Sequence, residues 1–345
     1  MSLMRTIALI NQKGGVGKTT TVANLSAALA ARGRRVLAID LDPQSHLTLH
    51  LGAEAGTATT GIYHVLTEGT ALSAAAMKIS ETLWVVPSSI DLAGAEIELV
   101  STVGREQLLA DRLAAETLPF DYVLIDCPPS LGLLTLNALA AADEVIIPLQ
   151  PHFLALQGFG KLLETVALVQ RRINRKLRVF GVVLCMYESA TRLAGEVTDD
   201  IEEFLRHGDS STPWARAKLF ETRIRRNVKL AECPSFGKTI NAYAPQSNGA
   251  VDYEFLADEF LALHGDMTDT EAHAQAVSTA RKSSEAAPPS PAASQQQPPA
   301  TAAKGPAKTP KPSSPAAAAN APAGTTDVKA DPQAAGVVAE GKSQV

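Results

Sequence analysis

A chain of 345 residues, 46% of them hydrophobic and with a formal net charge of −5, is long enough for one large domain or two ordinary ones. Its acidic balance excludes a uniformly basic nucleic-acid coat but leaves room for a local basic patch. Its three cysteines, Cys127, Cys185 and Cys233, lie far apart without a Cys-x-x-Cys or Cys/His cluster, which argues against a zinc or iron–sulfur site and for a reduced, cytoplasmic protein.

The first predicted element is the apolar run RTIALIN (5–11), a short strand. KTTTVANLSAALAARG (18–33) has helical spacing, with Val22, Leu25, Ala28 and Leu29 on one side and a stop at Gly33. Apolar, largely β-branched runs follow at RVLAIDLD (35–42), LWVVPS (83–88), DYVLIDCPPS (121–130), EVIIPLQ (144–150) and RVFGVVLCMY (178–187), separated by helical stretches. Strands that are apolar on both faces belong to a parallel sheet covered by helices. The expected fold is α/β: a doubly wound, mostly parallel sheet, with ligand at the C-terminal ends of the strands.

The junction between the first strand and the first helix reads NQKGGVGKTTT (11–21). A phosphate loop, G-x-x-x-x-G-K-[ST], needs that setting. Here the first glycine is replaced by Gln12, and a second lysine, Lys13, follows. Backbone N–H groups of Gly14, Gly15, Val16 and Gly17 at a helix start favour an anion. Lys18 is placed to reach the β- and γ-phosphates, the Thr19 hydroxyl to ligate Mg²⁺, and Thr20 to support the α-phosphate. Lys13 adds little to its own γ-phosphate, which Lys18 neutralises. It can reach the phosphates of a facing subunit, as an arginine finger does. The loop therefore reads as a P-loop NTPase site completed by dimerisation.

KGGVGKTT resembles the deviant phosphate loop of the ParA/MinD ATPases. VLAIDLDPQSHLT resembles that family's D-x-D-P-Q motif, DYVLIDCPPSLGLLTLNAL its magnesium-side strand and Pro-rich turn, and RNVKLAECPSFGKTI its late motif. The resemblance covers about residues 4–264 and favours the ParA branch. It implies ATP and Mg²⁺ as cofactors, a homodimer in the ATP state with Lys13 crossing over, and non-specific DNA binding. It also implies a ParB-like or other partner that stimulates hydrolysis, and cargo positioning on the nucleoid. By position, Asp42 is the water-orienting acid, Asp40 supports the magnesium shell, Asp126 holds Mg²⁺ through a water, and Asn227 contacts the adenine. Arg225 stands where the family commonly has proline. Cys127 has no His partner in its motif and is expected to pack.

ETRIRRNVKL (221–230) gathers Arg223, Arg225, Arg226 and Lys229, with Arg192, Arg216 and Lys218 not far off in sequence. Such a cluster in an acidic chain is a candidate phosphate-backbone surface. Lys229 matches a family position linked to DNA binding, and Arg192 lies near another; Arg223 and Arg225 complete the expected set. A salt-bridged, solvated face is the plain alternative.

Residues 281–345 contain no Leu, Ile, Met, Phe, Tyr or Trp, and Ala and Pro supply 29 of the 65. That composition predicts a disordered tail carrying +3, which leaves −8 on residues 1–280. The expected organisation is an ATPase domain over 1–265, a transition over 266–280 and the tail. No signal peptide, N-terminal helix-turn-helix, amphipathic membrane helix or membrane span is expected. Two other readings are an ATP switch that acts through protein partners without functional DNA binding, and a metabolic or redox relative of the same fold. The missing cysteine pairs count against the redox version.

Overall fold

The computed structural model describes residues 4–53, 60–152, 155–188 and 192–265. The expected segments 266–280 and 281–345 lie outside the described residues. Each of the six apolar runs forms a strand: β1 (Arg5–Leu9), β2 (Val36–Asp40), β4 (Leu83–Val86), β5 (Tyr122–Asp126), β6 (Glu144–Leu149) and β7 (Arg178–Tyr187). Three two-residue strands were not foreseen: β3 (Met77–Lys78), β8 (Lys218–Leu219) and β9 (Ile224–Arg225). They are too short to show a period of two.

The strands line up β3-β4-β2-β5-β1-β6-β7-β8, and β9 pairs with the far end of β7. All pairs are parallel except β3 with β4. This is the doubly wound, mostly parallel sheet that the apolar runs imply. Successive side chains divide between two apolar layers. Ala8, Leu37, Ile39, Val123 and Ile125 enter one; Ile7, Leu9, Val36, Ala38, Tyr122 and Leu124 enter the other. Period-two alternation with both faces apolar buries the sheet on both sides.

The helix Lys18–Ala31 leaves the end of β1 and ends beside Gly33, whose φ of 76° only glycine adopts without strain. Val22, Leu25, Ala28 and Leu29 are fully buried, but so are Thr21, Ala23 and Ser26. The helix is covered on more than the one side its spacing suggests, because its small residues let the helix Asn248–His264 pack against it. The C-terminal end of that second helix is tied to β6. Burial alone would push the Glu144 carboxyl up, but bonds from His264 (2.7 Å) and Arg178 outweigh it and hold the carboxyl below its usual range.

The short helix His46–His50 joins the exit of β2 to the segment 227–237. A Cβ on Gly52 (φ 73°) would stand 2.7 Å from the Gly237 carbonyl oxygen, so the two backbones touch. Nearby, His50 Nε2 lies 3.4 Å from Cys233 Sγ, both buried. This pair is no nucleophilic dyad. Burial drops His50 to about 4 and raises Cys233 to about 11, so both are neutral.

A buried neutral histidine makes stability fall with acid. The folded value of about 4 lies below the unfolded 6.5, so the contribution is complete above pH 6.5 and is lost as pH falls to 4. At most it is roughly 3 kcal/mol. Urea denaturation at stepped pH should show a shallower acid loss for His50→Gln than for the natural chain; equal slopes would contradict the assignment.

Candidate nucleotide site

The loop after β1 is fixed at both ends. Asn11 Nδ2 donates to the Pro148 carbonyl at 2.7 Å, and its Oδ1 accepts the Lys13 N–H at 3.0 Å. Gly15 and Gly17 take φ of 72° and 96°, and Val16 is buried. Both glycines are needed to turn the chain into the helix. Gly17 caps that helix without a side-chain acceptor, and its first turn holds no acid. Its leading N–H groups are left for an anion. Lys18 is buried, with Nζ 3.3 Å from the Lys13 carbonyl. Burial lowers its pKa, against the pull of Asp126 and Asp42.

Lys13 is exposed and its ammonium touches His152 Nε2. Burial, then the Lys13 charge, lower the His152 pKa, which keeps the ring a neutral acceptor. Lys13 thus points away from the loop interior that Lys18 fills.

The acids gather at the ends of β2 and β5, where Asp40 and Asp126 are register partners in adjacent strands. Asp126 is fully buried, and neither of its oxygens has a hydrogen-bond partner. Burial first and then Asp40 push its pKa well up; the Thr19 hydroxyl and Lys18 work the other way. Thr19 faces the carboxylate from the helix start without closing a hydrogen bond. A buried carboxylate with empty lone pairs, facing a threonine hydroxyl and a lysine at an uncapped helix start, fits a hydrated Mg²⁺ and its phosphates. Among the described residues no group of three or more His, Cys, Asp or Glu could hold a metal by itself. That accords with Mg²⁺, which keeps waters and phosphate oxygens as ligands.

Asp40, expected to support the magnesium shell, is held by the turn that follows its strand. Its Oδ1 accepts the Asp42 N–H at 3.1 Å, and its Oδ2 accepts both the N–H and the hydroxyl of Thr48, at 2.9 and 2.7 Å. Its lone pairs serve the turn after β2, and burial raises its pKa to about 6. Asp42, nearly buried, accepts the Gln44 N–H at 3.0 Å. The turn closes on Ser45, whose φ of 56° is left-handed. A serine held there costs about 1 kcal/mol. Cys127 is buried, with its thiol pushed well up by burial, so it packs and is no nucleophile.

The late motif lies across the Gly52–Gly237 contact. Asn227 caps the helix Val228–Glu232, its oxygen accepting the Lys229 N–H at 2.8 Å. Its amide nitrogen and the second lone pair of its oxygen are left for a base. The basic cluster is less open than its sequence suggests. Arg225 makes a forked pair with Asp252, with contacts of 2.6 and 3.1 Å. Arg223 lies over the Tyr187 ring and donates to its hydroxyl. Arg226 pairs with Glu188, Lys229 with Glu232 and Arg192 with Glu196. Sequence spacing shows cations, but not the acids that distant segments bring to them.

A family model described as an AAA domain matches residues 4–179. The sporulation initiation inhibitor protein Soj of Bacillus subtilis is 46% identical over 257 residues, 74% of this chain and 98% of that one. The chromosome partitioning protein ParA of Myxococcus xanthus is 42% identical over 258 residues, 74% and 88% of the two chains. A solved structure titled cobyrinic acid a,c-diamide synthase from Mycobacterium smegmatis, with bound ATP analogue and magnesium, is 39% identical. It aligns with a TM-score of 0.63 over 75% of this chain and 95% of that one.

The geometry of Asp126 makes a prediction. At pH 8 Asp126→Asn replaces a buried carboxylate that no hydrogen bond satisfies and should stabilise the nucleotide-free protein by ~1 kcal/mol or more. It should also abolish the stabilisation that Mg-ATP gives the natural chain. Denaturation with and without Mg-ATP measures both. A variant less stable when free, yet still stabilised by Mg-ATP, would refute the reading.

Proposed function

This chain belongs to the ParA/Soj family of chromosome-partitioning ATPases, and on that premise we propose that it closes into a homodimer on ATP, with Lys13 of each protomer reaching the other's nucleotide. ATP and Mg²⁺ are its cofactors. The observation that carries the proposal is the division of labour between the lysines. Lys18 is buried within the loop, beside its own acids, whereas Lys13 stands outside it, held only at its tip by His152.

In this reading the amides of Gly14, Gly15, Val16 and Gly17 cradle the phosphates, and Lys18 and Thr20 fix them. The Thr19 hydroxyl would ligate the magnesium and Asp126 would hold it through a water, and the side-chain amide of Asn227 meets the base. Mg²⁺ supplies charge neutralisation on the β- and γ-oxygens. Asp42 orients the attacking water. Lys13 from the facing protomer adds the charge that a single protomer lacks, so hydrolysis waits on dimerisation.

The ATP dimer binds DNA without reading sequence, and release follows hydrolysis stimulated by a ParB-like partner. The cycle positions a chromosome, plasmid or other cargo on the nucleoid, in the cytoplasm. Arg192 and Lys229 suit phosphate contact. Their pairs with Glu196 and Glu232 are exposed, therefore weak, and exchange readily for phosphate. Arg225 and Arg223 hold the surface in shape, since Asp252 and Tyr187 occupy them. No helix among the described residues is long and apolar enough to cross a membrane.

Binding to a random-sequence duplex at two salt concentrations, with ATP, ADP or no nucleotide, tests the proposal. Binding should need ATP and weaken with salt. Lys13→Ala should remove the ATP dependence, and Lys229→Ala should lower the salt slope by about one. Wild-type protein that hydrolyses ATP but never binds DNA would favour a switch that acts through protein partners.

A further inference from the structure

Thr48 belongs to none of the roles above, yet three elements meet on it. It sits two residues into the helix His46–His50 and is fully buried. Its hydroxyl donates to Asp40 Oδ2 at 2.7 Å and accepts the Ser88 N–H, just past β4, at 2.9 Å. Its own N–H donates to the same Asp40 oxygen at 2.9 Å. The other Asp40 oxygen holds the backbone N–H of Asp42 at 3.1 Å. The chain of contacts therefore runs from β4 through Thr48 and Asp40 to the backbone of Asp42, with each linking side chain buried.

We propose that Thr48 is a positioning residue for hydrolysis: through Asp40 it sets where the Asp42 carboxylate points. The hydroxyl does what a methyl cannot. One oxygen donates to the carboxylate and accepts from Ser88, so Asp40 keeps one orientation and the two-residue reach to Asp42 keeps its length. Without it, Asp40 Oδ2 retains only the Thr48 N–H, and the Ser88 N–H loses its acceptor in a dry site. The Asp40 carboxylate then has freedom to turn about its χ2 and release Asp42. The left-handed Ser45 beyond Asp42 makes this turn the more dependent on that anchor. No hydrogen bond in this chain of contacts reaches the phosphate loop, so its loss falls on kcat more than on nucleotide affinity.

This inference rests on the reading of Asp42 as the water-orienting carboxylate. The test measures kcat, KM for ATP and thermal unfolding for Thr48→Val, Thr48→Ala, Thr48→Ser and Asp42→Ala. A displacement of about an ångström at a reacting group costs up to ~100-fold in rate. Thr48→Val and Thr48→Ala should lower kcat by ~10-fold or more while KM moves less than ~2-fold. Thr48→Ser keeps the hydroxyl and drops a buried methyl. It should lose thermal stability yet keep near-natural kcat, a separation that a purely structural residue would not give.

Near-natural kcat in either hydroxyl-free variant overturns the proposal. So does a Thr48→Ser that loses kcat in step with Thr48→Val. If Thr48→Val fails to fold, Thr48→Ala, which demands no extra room, decides. Asp42→Ala separates the two claims. If it hydrolyses ATP normally, the reading of Asp42 fails; if it is inactive while Thr48→Val is active, the positioning role alone fails.

Discussion

Asp40 and Asp126 end neighbouring parallel strands side by side, both out of reach of water, and the cost of keeping that charge dry governs the rest of the site. An unpaired buried carboxylate is penalised by several kcal/mol. The fold answers the two acids differently. Asp40 receives three hydrogen bonds and becomes part of the scaffold. Asp126 receives none, and in the proposed reading it is left to the cation that arrives with the nucleotide. One carboxylate builds the turn that carries Asp42, and the other makes the fold answer to its ligand. Swapping their environments would give a well-packed sheet with no reason to bind magnesium.

The same economy explains the two lysines. Lys18 is desolvated among acids and lies where its charge is needed within one protomer. A second cation in that space would add repulsion. Lys13 leaves it and touches a neutral His152, a contact easily given up to a phosphate. In the proposed dimer Lys13 supplies charge that one protomer cannot hold unaided. The contact of Gly52 with Gly237 links the Asp42 turn to the segment that carries Asn227 and Lys229, so nucleotide and DNA readings share one block of structure.

Much of this was legible in the sequence. Six apolar runs gave six strands, because strands buried on both faces need no partner information to be seen. The phosphate loop was legible because glycines, lysine and threonine must fall in register between a strand and a helix. Two kinds of information were not. Two-residue strands such as β8 and β9 exist only because β7 offers an edge. The state of a charge also depends on segments distant in sequence: Arg225 meets Asp252 and Arg226 meets Glu188, while Asp40 turns to Thr48 rather than outward. The D-x-D-P-Q resemblance gave Asp40 and Asp42 their expected roles but could not say which would be spent on the backbone.

The most direct measurement mixes two inactive proteins. Lys13→Ala retains Asp42 but offers no crossing lysine; Asp42→Ala retains Lys13 but orients no water. In a mixed dimer one site combines the intact Asp42 of the first with the intact Lys13 of the second. The account predicts that the mixture hydrolyses ATP while neither variant does so separately. A mixture no more active than its components would place Lys13 in its own protomer's site and contradict a shared one.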